Sequence, residues 1–243
     1  MKVLAITATC GRHTCLERSV RFFLDQDYTD CVQLIYQNSK VEQRLNSNLG
    51  KNIILVNQAH RTQDRRDYTC LGEIYNDIIK FIPADVEAVT FWDDDDLFLP
   101  NHIREGVEGL VRGGKTAYKP MKSFYKEKGR VALVTNVLEP SMFIKVDHIK
   151  KYGFNNTTSD QHMSWVRPLI ETNDIFVDAE GVPTYVCDWS QEISTFKTSG
   201  DPNNKNNFVN YHKSSADHGD GIITPVPKSV AEKYYSQFNS YAR

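Results

Sequence analysis

The sequence of 243 residues has no long apolar run, no Cys-x-x-Cys pair and almost no net charge. Without a run of about 18 apolar residues, we expect no membrane-spanning helix. The cysteine count of five is odd, which argues against a disulfide framework and a cysteine-based zinc site. The formal net charge of −2 provides no global field that would draw the chain to nucleic acid or membranes. We therefore expect a soluble cytoplasmic protein with reduced thiols.

An internal repeat and a glycine-rich phosphate loop are also missing. The turn after the first predicted strand, Thr7–Arg12, contains a single glycine and is a poor phosphate-binding loop. The composition is otherwise that of an ordinary globular protein, with 40% hydrophobic and 25% charged residues. The length suits one α/β domain, or one domain with a small appendage, and allows a large core.

Apolar periodicity predicts alternating strands and helices in the first half of the chain. Short apolar runs predict strands at 3–9, 32–36, 52–56 and 86–92. Helical spacing predicts helices at 16–24 and 71–82, and a third that begins with Pro100 and ends at Gly113. This alternation favours a mostly parallel central sheet flanked by helices.

The alternation fades after residue 114, where fewer elements are predicted. The remaining predictions are two strands within 130–146, a helix at 159–172, a long loop at 197–227 and a closing helix at 228–241.

Four adjacent aspartates, Asp93–Asp96, directly follow the last predicted strand of the first half. Neighbouring carboxylates repel one another, and hard oxygen ligands suit Mg²⁺ or Mn²⁺, which would remove the conflict. The alternative is a solvated acidic loop. The buried strand before the run and the apolar segment Leu97–Pro100 after it favour a fixed site. Open α/β sheets bind ligands at this carboxyl edge.

The segment Phe91–Pro100, FWDDDDLFLP, resembles the Asp-x-Asp metal motif of family-2 glycosyltransferases with the GT-A fold. Further similarities follow the family's order along the chain, at Thr7–Arg12, Leu24–Tyr28, Leu71–Gly72, Asn76–Asp77, Lys151–Phe154, Asp160 and Trp165. The resemblance implies a Rossmann-like α/β GT-A domain. It would consist of a nucleotide-sugar-binding half, 1–114, and an acceptor-binding half, 115–243.

The resemblance also implies roles for individual residues. Asp93 and Asp95 would be the two ends of the Asp-x-Asp motif and would hold the cation, with Asp93 or the adjacent Asp94 facing the donor. Asp160 stands where the family keeps its catalytic base, although the glutamate that usually precedes this base is Ser159 here. Thr7, Thr9 and Arg12 would line the nucleotide pocket.

Two further features of the sequence concern the donor. The family's second strand usually ends in an aspartate that touches the base, whereas this chain has the amide Asn38, which can still read a pyrimidine edge. A basic cluster, which we expect to meet the donor diphosphate, consists of His60, Arg61, Arg65 and Arg66. We therefore predict a UDP-sugar as the donor.

GT-A enzymes often complete the metal shell with a late histidine, for which His212 and His218 are the candidates. His218 is preferred because the glycines beside it, Gly219 and Gly221, permit a tight turn. The alternative is a solvated histidine in a surface loop.

The segment Lys115–Arg130 interleaves basic residues with the aromatic residues Tyr118, Phe124 and Tyr125. It could contact nucleic acid, or it could be an exposed hairpin whose lysines keep a sheet edge soluble. Similar chains include bacterial surface-glycan enzymes and phage enzymes that add a sugar to hydroxymethylated cytosine in DNA. A DNA acceptor, with Tyr118 or Tyr125 holding a flipped base, is therefore one possibility.

The sequence thus predicts a metal-dependent glycosyltransferase that moves a hexosyl or pentosyl group from a nucleotide sugar to an acceptor hydroxyl. The acceptor would be a glycan, a small molecule or a hydroxymethylated base in phage DNA, in which case the protein would act in the host cytoplasm. A nucleotidyltransferase and a non-catalytic nucleotide-sugar binding protein are the alternatives.

Overall fold

The computed structural model describes residues 1–42, 44–45, 50, 52–127, 130–135, 139–158, 160–188 and 224–225. Its strands are β1 (Val3–Thr9), β2 (Cys31–Gln37), β3 (Ile53–Asn57), β4 (Ala88–Phe91), β5 (Leu97–Phe98), β6 (Ala117–Pro120), β7 (Lys122–Glu127), β8 (Arg130–Thr135), β9 (Phe143–Lys145), β10 (Ile175–Asp178), β11 (Tyr185–Asp188) and β12 (Thr224–Pro225). Its helices are α1 (His13–Leu24), α2 (Leu71–Ile78), α3 (His102–Gly113), α4 (Val146–Tyr152) and α5 (Met163–Glu171), with 3-10 turns at Ile79–Phe81 and Glu139–Ser141.

The larger sheet has seven strands in the order β10-β6-β9-β4-β1-β2-β3. Only β9 runs antiparallel to its neighbours, and the other pairs are parallel. This confirms the mostly parallel α/β sheet predicted from the sequence, and the four strands predicted in the first half correspond to β1–β4. These strands are apolar over most of their length because both faces of the sheet are covered.

A second sheet has the order β12-β8-β7-β11-β5 and was not predicted. Its strand β5 has two residues and β11 has four, which is too short for an alternating pattern to show in the sequence. β7 and β8 form an antiparallel hairpin. The larger sheet contains strands from both sides of residue 114, so the two predicted halves share one sheet. The assignment of 115–243 to acceptor binding stays a prediction.

The end of β4 is anchored in two separate cores. Successive side chains of a strand point to opposite faces of the sheet, so Phe91 and the next residue, Trp92, enter different clusters. Trp92 stacks on Phe98 with a centroid distance of 3.8 Å, and Phe91 stacks on Trp165 at 5.7 Å. This double anchor fixes the position of the aspartates that follow.

Helix α3 packs closely on the sheet through a row of glycines. A Cβ atom added to Gly106 would lie 2.2 Å from the ring of Phe143, and one added to Gly109 would lie 2.3 Å from the ring of Tyr118. Pro100 lies two residues before His102, the first residue of this helix, and Asn101 is the N-cap, so the prediction that proline opens the helix was wrong by two residues.

Other predicted boundaries also shift. The helix predicted at 71–82 ends at Ile78 and continues as a 3-10 turn. The loop predicted at 197–227 lies outside the described residues except for β12, and the closing helix at 228–241 lies wholly outside them. Among the described helices, none combines the length and apolar character that crossing a bilayer requires.

The stability of the fold should depend on pH through His102. Its buried ring lies 5.0 Å from that of Phe98 and 5.1 Å from that of Phe143, and its Nδ1 is 2.8 Å from Oγ1 of Thr184. Burial lowers the pKa of His102 to about 3. The unfolded chain therefore binds a proton near pH 6.5 that the folded chain does not bind. The free energy of unfolding should fall, by up to about 1.4 kcal/mol per pH unit, as pH drops below about 6.5.

Urea unfolding at pH 7.5, 6.0 and 5.0 measures this slope. The variant His102→Leu should have a smaller slope than the wild type, whereas His13→Leu, at a partly exposed position on α1, should keep the wild-type slope. Parallel pH dependence of the wild type and His102→Leu would contradict the prediction.

Candidate functional site

The carboxyl ends of β1, β2 and β4 meet at one edge of the larger sheet. β1 lies between the other two, and the N–H group of Asn38 donates to the carbonyl of Thr9 at 3.0 Å. On the other side, the N–H group of Trp92 donates to Ile6 at 2.8 Å. The chain therefore delivers the aspartate run to the same edge at which β1 and β2 end.

Asp94 points into the protein. It is fully buried, accepts a hydrogen bond from Oγ1 of Thr9 at 2.5 Å and forms an ion pair with Arg12. Burial raises the pKa of Asp94 to about 6, although Arg12 and the Thr9 hydroxyl act in the opposite direction. Its partners are thus residues of the first turn, which tie the aspartate run to the end of β1.

Arg12 bridges two aspartates of the run. Gly11 has a φ of +70°, which the turn between β1 and α1 requires, and Arg12 follows as the N-cap residue of α1. Besides its ion pair with Asp94, its Nη1 lies 3.1 Å from Oδ2 of Asp95. From the same helix, Nη2 of Arg18 donates to the main-chain carbonyl of Asp95 at 2.8 Å.

Asp96 faces the second sheet. Its carboxylate accepts hydrogen bonds from the hydroxyl of Tyr185 at 2.5 Å and from the N–H group of Asp188 at 2.9 Å. The buried carboxylate of Asp188 in turn lies 3.4 Å from Nη1 of Arg18 and 3.2 Å from Nζ of Lys126. These partners were missed from the sequence because they lie up to 170 residues apart and match no motif.

Asp93 is the aspartate that opens on a cavity. It is partly exposed, and among the described residues its carboxylate has no hydrogen bond or ion pair. Burial, together with the carboxylates of Asp96, Asp95 and Asp94, raises the pKa of Asp93 well above its usual range. The four aspartates therefore differ in their surroundings, although the sequence presents them as equals.

The first cavity, of about 210 Å³, lies beside Asp93 at the ends of β1 and β2. Its lining includes four residues predicted to bind the donor, Thr9, Arg12, Asn38 and Asp93. Sequence reasoning missed the residues that α2 and the preceding loop contribute, Tyr68, Thr69, Cys70, Leu71, Ile74 and Tyr75. The apolar spacing of α2 marked Leu71, Ile74 and Tyr75 as buried but gave no sign of a cavity.

Glu73, on α2, holds the loop 58–70 that forms one wall of the first cavity. It accepts hydrogen bonds from Nη1 of Arg61 at 2.8 Å and from Nη2 of Arg66 at 2.5 Å. Two arginines expected to meet the donor diphosphate are therefore paired with this glutamate, and Arg66 is not part of the cavity lining. Their contact with a donor stays a prediction.

Asp77, one helical turn further along α2, fixes the same loop. It accepts hydrogen bonds from the N–H group of Thr62 and from the hydroxyl of Tyr68, both at 2.8 Å. The Tyr68 hydroxyl also lies 2.8 Å from that of Tyr36. Burial opposes its ionisation, but hydrogen bonds from Lys80, Thr62 and Tyr68 lower the pKa of Asp77 to about 2. The wall is therefore held by charged and hydroxyl partners.

A second cavity, of about 80 Å³, adjoins the first. Asp93, Leu71 and Tyr75 line both, and the second is closed by Phe91, Pro140, Phe154, Gln161, His162 and Trp165. The aspartate run thus lies at the junction of a larger and a smaller cavity.

The other predicted site residues lie around these cavities. Thr7 is buried beneath them, where its hydroxyl donates to the carbonyl of Trp92 at 2.8 Å. Asp160 is exposed just before α5, and neither cavity lining includes it. His212 and His218 lie outside the described residues. The binding and catalytic roles of all these residues stay predictions.

The basic segment Lys115–Arg130 corresponds to β6, β7 and the start of β8. Two of its aromatic residues, Tyr118 and Phe124, are 2% and 3% exposed, and Tyr118 packs against α3. Tyr118 therefore cannot hold a flipped base, and the expectation that it would do so was wrong. The side chain of Tyr125 lies outside the description.

The described residues contain no group of three or more His, Cys, Asp or Glu side chains arranged to hold a metal ion. The aspartate run explains this, because Asp94 and Asp96 are turned toward other partners. A cation here would need ligands from a substrate as well as from Asp93 and Asp95.

Several solved structures share this fold. The chain matches S. aureus TarS 1-349 in complex with UDP-GlcNAc with a TM-score of 0.60 and 13% identity, over 79% of this chain and 60% of that chain. It matches the UDP complex of the same protein with a TM-score of 0.60 and 13% identity, over 77% and 60%. It also matches the mannosyltransferase PcManGT from Pyrobaculum calidifontis, in complex with GDP-Man and Mn²⁺, with a TM-score of 0.55 and 12% identity, over 79% and 58%.

This likeness shows that the chain has the GT-A glycosyltransferase fold expected from its aspartate motif. The chain spans about three fifths of the length of these matched chains. It matches no protein-family model and no curated protein sequence.

The different surroundings of the aspartates predict opposite effects of neutralising them. Asp93→Asn removes a partly buried charge that three carboxylates repel, so the free energy of unfolding in metal-free buffer should rise by about 1 kcal/mol. Asp96→Asn weakens the hydrogen bonds from Tyr185 and Asp188 inside the protein. The free energy of unfolding of this variant should therefore fall by about 1–3 kcal/mol. Urea unfolding at pH 7.5 in EDTA measures both. A shift of the same sign in the two variants would contradict this account.

Proposed function

We propose that the protein is a glycosyltransferase that transfers a sugar from a nucleotide sugar to an acceptor hydroxyl with the help of Mn²⁺ or Mg²⁺. The observation that carries this proposal is the aspartate run at the carboxyl edge of a GT-A sheet. Its member Asp93 opens on a cavity formed by the ends of β1 and β2. The named complexes of TarS and PcManGT with UDP, UDP-GlcNAc and GDP-Man support a nucleotide-sugar donor.

The first cavity would hold the nucleoside diphosphate. Asn38 and Thr9 lie where β2 and β1 end, and the amide of Asn38 can both donate to and accept from the edge of a pyrimidine. Arg12 brings the only cationic side chain among the described lining residues. We therefore propose UDP as the nucleotide, with Arg12 on the phosphate side and Asn38 on the base side.

The residues at the run fit a divalent cation. The carboxylates of Asp93–Asp96 and Asp188 lie among three cationic side chains, Arg12, Arg18 and Lys126, so this group keeps two uncompensated negative charges when fully ionised. Asp93 and Asp95 would hold the ion, and donor phosphates and water would complete its shell. A bound cation would neutralise charge on the departing diphosphate. A ligand role for His218 stays a prediction.

The proposed reaction exchanges the bond from the anomeric carbon to the diphosphate for a bond to the acceptor oxygen, and it transfers one proton. The acceptor oxygen attacks the anomeric carbon, the bond from that carbon to the diphosphate oxygen breaks, and the hydroxyl proton moves to a base. We propose Asp160 as this base. Its carboxylate is exposed, and the next two residues, Gln161 and His162, line the second cavity. We propose a glycan or small hydroxylated molecule as the acceptor.

Activity should need a divalent cation and Asp95. With UDP-glucose or GDP-mannose, Mn²⁺ should permit slow release of the nucleotide, and EDTA should abolish it. Asp95→Asn should lower the rate by about 10²-fold or more because one ligand is lost. Asp25→Asn, at an exposed position at the end of α1, is the matched control and should keep the wild-type rate.

The competing functions give different results in the same assay. A nucleotidyltransferase would release pyrophosphate from a nucleoside triphosphate, and a binding protein would release nothing from either compound. Full activity in EDTA, or in Asp95→Asn, would refute the proposed role of the cation.

Replacing Asp160 should separate catalysis from donor binding. A general base contributes about 10²- to 10⁴-fold to the rate, so Asp160→Asn should lower kcat by that factor. Its affinity for UDP, measured by calorimetry, should stay within about twofold of the wild type because Asp160 does not line the first cavity. Glu171→Gln, at the exposed end of α5, is the control. Loss of UDP affinity would place Asp160 in the donor site instead.

A further inference from the structure

Helix α2 holds a second loop besides the loop 58–70. Glu73 and Asp77, four residues apart and therefore on one face of the helix, bind the loop 58–70. The neighbouring face, one residue earlier at each turn, contacts another segment of the chain. This segment comprises residues 153–158 and 160–162 and is called the Asp160 loop, after the proposed base.

The Asp160 loop borders both cavities. Thr158 lines the first cavity, whereas Gln161 and His162 line the second. Asp160 lies between these residues in the chain but belongs to neither lining. The position of its carboxylate relative to the cavities is therefore set by the conformation of the loop.

Asn76 binds the start of this loop through three hydrogen bonds. Its Nδ2 donates to the carbonyl of Phe154 at 2.8 Å, and its Oδ1 accepts from the N–H group of the same residue at 2.9 Å. A third bond joins Nδ2 to Oδ1 of Asn156 at 3.2 Å. The side-chain amide thus pairs with the main chain as a neighbouring strand would, which requires both its donor and its acceptor.

Gly72, one turn earlier, brings the helix close to the same loop. Its N–H group donates to the carbonyl of Thr157 at 3.0 Å, and a Cβ atom added to Gly72 would lie 1.7 Å from the main-chain oxygen of Asn155. The ring of Phe154 also stacks on that of Tyr75, with a centroid distance of 4.8 Å. Main-chain, side-chain and ring contacts on one face of α2 therefore all hold this loop.

The loop is also closed on itself around Asp160. The N–H group of Asn155 donates to the carbonyl of Gln161 at 2.9 Å, and its Nδ2 donates to the carbonyl of Asp160 at 3.1 Å. The N–H group of Asp160 lies 3.3 Å from Oγ1 of Thr157. Because these bonds join the two sides of the loop, we expect a displacement at its start to reach Asp160.

We infer that Asn76 is a positioning residue, which holds the Asp160 loop so that the carboxylate of Asp160 stays beside the residues that line the two cavities. This inference rests on the proposed function, in which Asp160 accepts the proton of the attacking hydroxyl. A general base works only within hydrogen-bond reach, and a misplacement of about 1 Å can lower a rate by about 10²-fold. Asn76 itself belongs to neither cavity lining, so it would act through the loop.

The first measurement separates turnover from nucleotide binding. Nucleotide release from UDP-glucose or GDP-mannose with Mn²⁺ gives kcat, and calorimetry gives the affinity for the nucleotide alone. Asn76→Ala should lower kcat by about 10- to 10²-fold and keep the nucleotide affinity within about twofold. Asn76→Asp keeps the acceptor for the N–H group of Phe154 but loses the donor, so its loss should be smaller. Asn52→Ala, at an exposed position that lines neither cavity, is the matched control.

The second measurement repeats Asn76→Ala in the Asp160→Asn background. If Asn76 acts through Asp160, its removal there should change kcat by less than about twofold, because the base that it positions is already lost. A merely structural role would lower kcat by the same factor in both backgrounds. Thermal melts of the wild type, the two single variants and the double variant check that each protein is folded.

The outcomes separate the two proposals. If the wild type releases no nucleotide from either donor, or if Asp160→Asn keeps the wild-type kcat, the proposed function fails and the inference fails with it. If Asp160→Asn lowers kcat but Asn76→Ala does not, only the inference is overturned. Equal losses from Asn76→Ala in both backgrounds, or a loss of nucleotide affinity as large as the loss of kcat, would also overturn it.

Discussion

Repulsion among four adjacent carboxylates is the constraint around which this site is built. The protein meets it by turning the side chains in different directions. Asp94 faces a hydroxyl and a guanidinium of the first turn, Asp96 faces the second sheet, and Asp95 shares Arg12 with Asp94. Asp93 alone opens on both cavities. Protein groups thus compensate the inner charges, and the outer carboxylate is left facing the two cavities.

Packing and hydrogen bonds hold the residues on both sides of the aspartate run. Phe91 and Trp92 anchor the end of β4 in two cores. Beyond it, Arg18 donates to the main-chain carbonyl of Asp95, and the N–H group of Asp188 donates to the carboxylate of Asp96. One wall of the first cavity, the loop 58–70, is instead held by the carboxylates of Glu73 and Asp77 on α2. Preorganised groups of this kind lose little free energy in reorganisation when a substrate binds, which is the property a transferase for charged donors needs.

The sequence predicted the main sheet because β1–β4 are continuous apolar runs, and it placed the aspartates at the right edge. The resemblance to family-2 glycosyltransferases pointed to Thr9, Arg12 and Asn38, which line the first cavity. The sequence could not show that Asp96 is structural, because Tyr185 is 89 residues away and belongs to a four-residue strand. The aromatic character of Tyr118 suggested a surface role that its burial against the glycines of α3 excludes.

The alternation at the end of β4 also limits how such a chain can change during evolution. Adding or deleting one residue in β4 would exchange Phe91 and Trp92 between their cores. Each aspartate of the run would then point in the direction that its neighbour takes now. No single substitution could restore both cores and the charge pattern together. Changes of length should therefore accumulate in connections away from the carboxyl edge, such as the turn after Gly114, while β4 keeps its length from one descendant to the next.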